Sequence, residues 1–363
     1  MDRRDFIKTA VGIAAVAGAR PAPAQSAAPH PITIVGTSPE NTTPGGVVTP
    51  TGPVTAKLAQ NPAMKYRPFG NTGERLSMIG LGGFHLAKPG GPTAKEATDL
   101  VHAAIEGGVT FCDNCWDYNG GESEKRLGNA LQDGWRNRVF LMTKIDGRTE
   151  KAAQQQIDES LKRLKTDHLD LLQFHEIIRP EDPETVFAPG AALSVALRAR
   201  EQGKLRYIGF TGHKSPAIHA HMFEVADAHG FHFDSVQMPL NVMDAHYDSF
   251  EQRVLPIALA RHTAVFGMKT FGDAFILESQ VLTPSDLLAY SLSLPTTLQV
   301  LGIDTPAVLK QSLDAVASYQ PLTPARRAEI LAKSAARAAD GSTERYKVSH
   351  HFDGTIQNPE WLG

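Results

Sequence analysis

The chain has almost no cysteine: among its 363 residues only Cys112 and Cys115 carry thiols. Two sulfurs exclude a four-cysteine zinc site. It also has no long hydrophobic run. The one candidate, Ala10 to Ala19, is built of small residues and falls short of the roughly 20 apolar residues of a membrane helix, so no span is expected in the mature chain. Positive charge is not in excess either; the formal net charge is -3 and no long basic run exists, which argues against an electrostatic footprint for nucleic acid. Finally, no G-x-G-x-x-G follows the first strand-like run, since Gly80-Leu81-Gly82-Gly83 has the wrong spacing, and an open dinucleotide-binding sheet loses its main signature. What is present is ordinary: 42% hydrophobic and 21% charged residues, enough for one large soluble core.

At the N-terminus, Arg3-Arg4-Asp5-Phe6-Ile7-Lys8 precedes a weakly apolar run, Thr9 to Ala19, and then Ala22-Pro23-Ala24. This arrangement resembles a twin-arginine export signal with a cut after Ala24. The resemblance implies the twin-arginine export machinery as a partner, a periplasmic or otherwise exported location, and a folded protein whose cofactor is loaded before export. Residues 25–64 are rich in Pro, Gly and Thr and read as a linker, with a short strand expected at Ile32 to Val35. A barrel domain is expected over 65–340 and a polar, aromatic tail over 341–363, lying either over the barrel mouth or on its outside.

From Tyr66 onward, short apolar strand-like runs recur at 78–82, 109–113, 139–144, 169–174, 205–210, 233–237, 263–268 and 297–301. Helical periodicity fills the intervals, as at Ala94 to Glu106, Glu150 to Leu164 and Ala191 to Gln202. Eight such units are the arithmetic of a closed α/β barrel, a (β/α)8 TIM barrel. The strands end on polar residues: Asp113, Lys144, His175, Thr211, Gln237 and Lys269. All are carboxyl-terminal ends, which in this architecture form one face and hold the active site.

Lys144 beside Asp113 would stay charged, and an ammonium near Tyr118 is expected to lower the phenol pKa and make Tyr118 a general acid. His175 adds a second donor for a substrate oxygen. Asp113, Tyr118, Lys144 and His175, with Gly121-Glu122-Ser123-Glu124 after the tyrosine, Phe69-Gly70-Asn71-Thr72-Gly73 before the first strand, and Asp167-His168-Leu169-Asp170 ahead of His175, resemble the catalytic tetrad and flanking motifs of the aldo-keto reductases. The resemblance spans about 66–320. It implies the (β/α)8 barrel, a nicotinamide cofactor, NAD(P)H, across its C-terminal face, and reversible reduction of a small-molecule carbonyl, or oxidation of an alcohol, with Tyr118 as proton donor. It assigns cofactor contacts to Thr211, Gly212, His213, Gln237, Met268, Lys269, Thr270, Gln311 and Ser312. Thr211-Gly212-His213 departs from the family's Ser-Asn, and Asp304 stands near the position that meets the adenosine 2′-phosphate, which puts NADP in competition with NAD. Trp116 and Phe84 are expected to wall the substrate site.

Cys112 and Cys115 form a C-x-x-C, but Cys112 is expected to face the helices and Cys115 to sit in a loop, so no disulfide is expected. His219 and His221 fall on different faces of one helix, His350-His351 lacks a matching carboxylate cluster, and no metal is expected. Two other functions fit the same residues: a nucleotide-binding sensor or partner module without turnover, and a dehydrogenase working mainly toward oxidation of a sugar or polyol.

Overall fold

The computed structural model describes residues 61–363. The export-type segment 1–24, the strand expected at Ile32 to Val35 and all but the last residues of the 25–64 linker lie outside the described residues. A hairpin opens the described chain, β1 (Tyr66–Pro68) pairing antiparallel with β2 (Arg75–Ser77). Eight strands follow: β3 (Ile79–Gly82), β4 (Phe111–Asp113), β5 (Phe140–Ile145), β6 (Leu169–Phe174), β7 (Leu205–Thr211), β8 (Ser235–Pro239), β9 (Ala264–Met268) and β10 (Leu298–Leu301). They close in the order β10-β3-β4-β5-β6-β7-β8-β9, and every pair is parallel. The (β/α)8 barrel expected from the alternation is therefore the fold.

Several of the helices start where the sequence places hydroxyl caps. Thr93 and Glu96 form a reciprocal capping box ahead of Ala94–Glu106, and Thr149 caps Glu150–Leu164. Four later helices use one device, a Ser or Thr cap followed by proline: Ser215-Pro216, Thr283-Pro284, Thr305-Pro306 and Thr323-Pro324. Proline at the first helical position gives up an N–H that has no partner there anyway.

Strand periodicity explains the site. Successive side chains alternate between the barrel interior and the helix layer. On β5, Phe140 and Met142 belong to the interior aromatic cluster while Leu141 and Ile145 pack under the helices. Continuing the parity of Phe140 and Met142 puts Lys144 inside at the carboxyl end. The same parity carries Phe111 to Asp113, Leu171 to Gln173 and His175, Ser235 to Gln237, and Phe266 to Met268. The floor beneath them is aromatic: Phe69 from the hairpin meets Phe140 at 5.3 Å and Tyr207 at 5.0 Å, and Phe111 meets Phe266 at 4.9 Å. The hairpin thus plugs the amino-terminal end of the barrel, a role the sequence did not announce. A groove of about 450 Å³ at that end, lined by Arg67, Gly70, His262 and Tyr319 among others, holds none of the expected site residues.

The tail does not trail. After the helix Pro324–Ala338 the chain turns back through Arg345–Val348, Gly354–Gln357 and Pro359–Leu362. It lies across the carboxyl ends of β5 to β9, so the mouth, not the outside, is its seat.

Candidate active site

Three strand residues, Asp113, Lys144 and Gln237, and the loop residue Tyr118 meet in one network. The Lys144 ammonium, 1% exposed, donates to Asp113 Oδ1 at 2.5 Å, to the Asn114 carbonyl at 2.8 Å and to Tyr118 Oη at 3.3 Å. Gln237 Nε2 donates to the other oxygen of Asp113 at 2.8 Å. A buried ion pair of this kind is tolerable only because its remaining valences are used. The Tyr118 ring stands edge-on to His175, with centroids 5.9 Å apart.

Tyr118 is delivered by an unusual turn. Asn119, Gly120 and Gly121 all have left-handed φ, of 53°, 63° and 84°. A Cβ on Gly121 would lie 2.6 Å from the Arg163 guanidinium carbon, so glycine is required there by both conformation and space. Arg163 in turn donates to the Trp116 carbonyl at 2.8 Å, and the fully buried Glu124 accepts from Thr143 at 2.6 Å, next to Lys144. The Gly-Glu-Ser-Glu segment is therefore a clamp on the loop that carries the tyrosine.

One electrostatic expectation is reversed. Burial, and then the neighbouring Asp113, Cys115, Asp117 and Glu176, push the Tyr118 phenol well above its usual range, although the Lys144 ammonium stands beside it. The residue is held as a protonated phenol, which suits a proton donor. For His175, burial alone would lower the imidazole pKa, but the carboxylates of Asp117 and Asp146 outweigh it and raise it to about 9. Its Nδ1 is 2.9 Å from Asp146 Oδ1, 3.2 Å from Cys115 Sγ and 3.6 Å from Asp117 Oδ1. Burial pushes Asp117 up to about 6 against the pull of His175. Both cysteines are free, with Cys112 in the helix-facing core as expected, and burial pushes its thiol up to about 12.

The residues assigned to the cofactor are divided. Gln237 Oε1 and Thr270 Oγ1 are buried polar atoms without a partner, and both lie at strand ends on the assigned side, so this end suits an amide-bearing group such as a nicotinamide carboxamide. Thr211 and Met268 end β7 and β9 with interior parity. Gly212 is needed for packing: a Cβ there would lie 2.3 Å from the Ile177 carbonyl and 2.7 Å from His219 Nε2. The tail engages His213 and Lys269 of the assigned set, and Lys214 beside them. His213 Nε2 and Lys214 Nζ reach Asp353 at 2.9 and 2.7 Å, and the Lys269 ammonium sits 5.0 Å from the Phe352 ring centre and 5.7 Å from that of Tyr346. Ser312 turns its hydroxyl onto the Val308 carbonyl of its own helix at 2.9 Å and Gln311 is exposed, so these two do not join the convergent group. Asp304, expected to repel a 2′-phosphate, is neutralised by Lys88 at 2.5 Å.

Phe84, 42% exposed, packs edge-on to Tyr118 at 5.5 Å and does stand at the mouth. Trp116 does not wall the tyrosine; its Nε1 donates to Glu159 at 2.7 Å and its ring meets Trp361 of the tail at 5.7 Å. His219, fully buried between Phe210 and Phe250 and kept neutral by burial with a pKa near 3, is a core histidine, and His221 is half-buried on the opposite face, where it pairs with Glu184.

Sequence reasoning missed the groups that pair with the tail. Glu176 accepts from Gly354 N at 2.8 Å, Thr355 N at 2.7 Å and Thr355 Oγ1 at 2.6 Å. Asn241 donates to Tyr346 Oη at 2.8 Å, and the buried Lys347 reaches Asp244 at 2.7 Å. Arg148 N donates to the Leu362 carbonyl at 2.9 Å. Glu176 follows His175 directly, and an acidic residue just past a strand end was the available signal.

Comparison with known proteins bears on this arrangement. A model of the Aldo/keto reductase family matches residues 78–286. The chain is 28% identical over 208 residues to Aldo-keto reductase YhdN of Bacillus subtilis (strain 168), covering 54% of this chain and 58% of that protein. It is 33% identical over 158 residues to L-galactose dehydrogenase of Arabidopsis thaliana, covering 41% of this chain and 49% of that one. The chain thus spans about half the length of the curated relatives it matches. Among solved structures, aldo-keto reductase AKR11C1 from Bacillus halodurans in its holo form superposes with a TM-score of 0.62 at 19% identity, over 74% of this chain and 96% of that one, a likeness of fold.

Proposed function

The chain belongs to the aldo/keto reductase family, and on the geometry of its site we propose that it is a nicotinamide-dependent oxidoreductase in which Tyr118 moves the proton. The carrying observation is the Tyr118-Lys144-Asp113 chain, with Lys144 Nζ 3.3 Å from the phenol oxygen and 2.5 Å from the carboxylate. When bound, NAD(P)H supplies the hydride. The protein's own part is proton and charge management. Tyr118 Oη holds the proton that passes to the substrate oxygen, and Lys144 stabilises the phenolate left behind. Asp113 keeps Lys144 charged and in place, and Gln237 anchors Asp113. His175 offers a second donor to the same oxygen. Gln237 and Thr270, with their unpartnered buried oxygens, would hold the carboxamide end of the nucleotide.

The substrate class is a sugar or sugar-derived carbonyl, or the corresponding alcohol. A relative named L-galactose dehydrogenase supports it, as does a mouth with one exposed aromatic, Phe84, beside polar groups. The twin-arginine-type segment supports export through that pathway. Free nucleotide being scarce outside the cytoplasm, the cofactor is loaded before export and retained, oxidising one substrate and reducing another. The tail supports retention, because it is tied down over the strand ends where the nucleotide would sit.

The test is carbonyl reduction by Tyr118→Phe. A fall of about 10²–10⁴-fold in turnover with nucleotide binding unchanged is expected. Turnover equal to the wild type would remove Tyr118 from the chemistry. The second reading, a nucleotide-binding module without turnover, draws on the engagement of His213, Lys214 and Lys269 by the tail; it requires that neither protein turn over while both bind nucleotide.

A further inference from the structure

Beside the tetrad lies a group of side chains that carbonyl chemistry does not call for. Cys115 Sγ, a carboxylate oxygen each from Asp117 and Asp146, and His175 Nδ1 all lie within 4.8 Å of one another. Donors are too few for this set. The imidazole N–H facing the group is shared by Asp146 at 2.9 Å, Cys115 at 3.2 Å and Asp117 at 3.6 Å. Asp117 Oδ1 and Asp146 Oδ2 are buried without any hydrogen-bond partner, and the Asp146 side chain is 0% exposed. His175 offers at most one positive charge to these two largely buried carboxylates, so the second is left without a counter-charge, which is costly.

The scaffold behind these atoms is rigid. Asp146 and His175 sit just past β5 and β6, and the buried Arg148 guanidinium ties their backbones together, donating to the Asp146 carbonyl at 2.7 Å and to the His175 carbonyl at 2.7 Å. Gln156 Oε1 accepts from Asp146 N at 2.8 Å. Cys115 and Asp117 come from the clamped loop that carries Tyr118. Such fixed second contacts are what a metal site needs to hold its ligands in place.

We infer that Cys115, Asp117, Asp146 and His175 form a site for one divalent transition-metal ion of the zinc class. The donor set is one sulfur, one nitrogen and two oxygens. Thiolate and imidazole select zinc-like ions over calcium and magnesium, which take oxygen ligands. Metal–ligand bonds of about 2.0–2.3 Å in a tetrahedron put neighbouring donors about 3.3–3.7 Å apart. The spacings about His175 Nδ1, 2.9, 3.2 and 3.6 Å, lie within a few tenths of an ångström of that range, and every other donor pair is within 4.8 Å. The ion supplies a counter-charge for the two carboxylates and binds the sulfur as thiolate and Nδ1 through its lone pair, each of these two atoms giving up its proton to solvent. The imidazole then keeps its proton on Nε2, where it can be donated. The expectation of no metal, drawn from the histidine pairs and the cysteine count, considered neither carboxylates at strand ends nor a lone thiol in a loop.

The site is testable without any enzyme assay. The purified full chain is stripped with a chelator and titrated with Zn²⁺, or with Co²⁺ read by absorbance. One equivalent per chain and a thiolate-to-cobalt charge-transfer band are expected for the wild type and for Cys112→Ser. Cys115→Ser should lose the band. Asp146→Asn and Asp117→Asn should weaken Co²⁺ binding at least about tenfold. Asp117 lies on the loop and is partly open to solvent, so its variant keeps the test valid if the Cys115 or Asp146 variant fails to fold. Substoichiometric or non-saturating uptake by the wild type, a band that survives in Cys115→Ser, or unchanged binding in a folded Asp117→Asn would each overturn the assignment.

Discussion

Replacing Asp113 by Asn is expected to destabilise the fold by about 3–5 kcal/mol at neutral pH, because it leaves a buried ammonium without its counter-ion. Lys144 is 1% exposed, and besides Asp113 its ammonium has only two neutral oxygens, the Asn114 carbonyl at 2.8 Å and Tyr118 Oη at 3.3 Å. Lys144→Met should cost a similar amount, since Asp113 then keeps only the Gln237 amide at 2.8 Å as its side-chain donor. The double variant removes both charges while methionine fills much of the lysine stem. It should be no less stable than either single variant, a coupling of about 3 kcal/mol or more, at or above the upper end for touching residues. Urea unfolding with equal slopes for all four proteins measures it. Additivity within about 0.5 kcal/mol would refute the reasoning, because it would mean that two charges 2.5 Å apart in the core do not feel each other. All three variants should be inactive, which separates the pair's part in stability from its part in chemistry.

Three further outcomes follow from other regions. Despite burial, bonds to His213, Lys214 and His350 hold the Asp353 carboxyl down to about 2. A depressed carboxyl contributes stability above its unfolded pKa of about 3.9 and loses it as pH falls through the folded value. The difference between wild type and Asp353→Asn in hydrogen-exchange protection over 344–362 should therefore be full above about pH 4 and close toward pH 2; a gap persisting at pH 2 would contradict the assignment. Burial raises Asp234 to about 6 even though its carboxylate accepts from Ile208 N at 2.9 Å. The sign is opposite: its contribution is complete below about pH 4 and lost as pH rises through about 6. Asp234→Asn should thus be the more stable protein at pH 7, by about 2 kcal/mol at most since the side chain still reaches water, and the advantage should vanish below about pH 4 in denaturant melts. Phe266→Ala, which empties the middle of the barrel's aromatic floor, should cost about 3–5 kcal/mol in the same melts, and a cost under about 1 kcal/mol would mean that the interior collapses into the hole.

Much of the fold was legible because a parallel barrel writes itself in local terms. Eight apolar runs buried on both faces, helices with hydroxyl caps, and polar residues at the carboxyl ends of six strands can each be read within a dozen residues. Their place at strand carboxyl ends singled out Asp113, Lys144, His175 and Gln237 before any coordinates, and strand parity in the structure accounts for their facing inward. The hairpin was missed because β1 and β2 are three residues each, too short for periodicity to register. Trp116 was misplaced for a related reason: a loop residue has no parity, and its partners Glu159 and Trp361 are remote in sequence.

Alternation along the chain, of strand and helix, inward and outward, apolar floor and polar rim, was enough to give the barrel; the family and the grouping of Asp113, Tyr118, Lys144 and His175 came from the resemblance their motifs carry. Tertiary structure alone decided the quantities that depend on closeness between distant segments. The Tyr118 phenol is raised and not lowered, because burial and the surrounding acidic groups sum over space. Glu176 meets Thr355, and Asp353 meets His213, so the tail closes over the mouth instead of packing outside. Cys115, Asp117, Asp146 and His175 come from three strand ends and share one small volume. Periodicity orients a side chain relative to its own strand, but only the closed barrel and the folded tail decide which other side chains it faces.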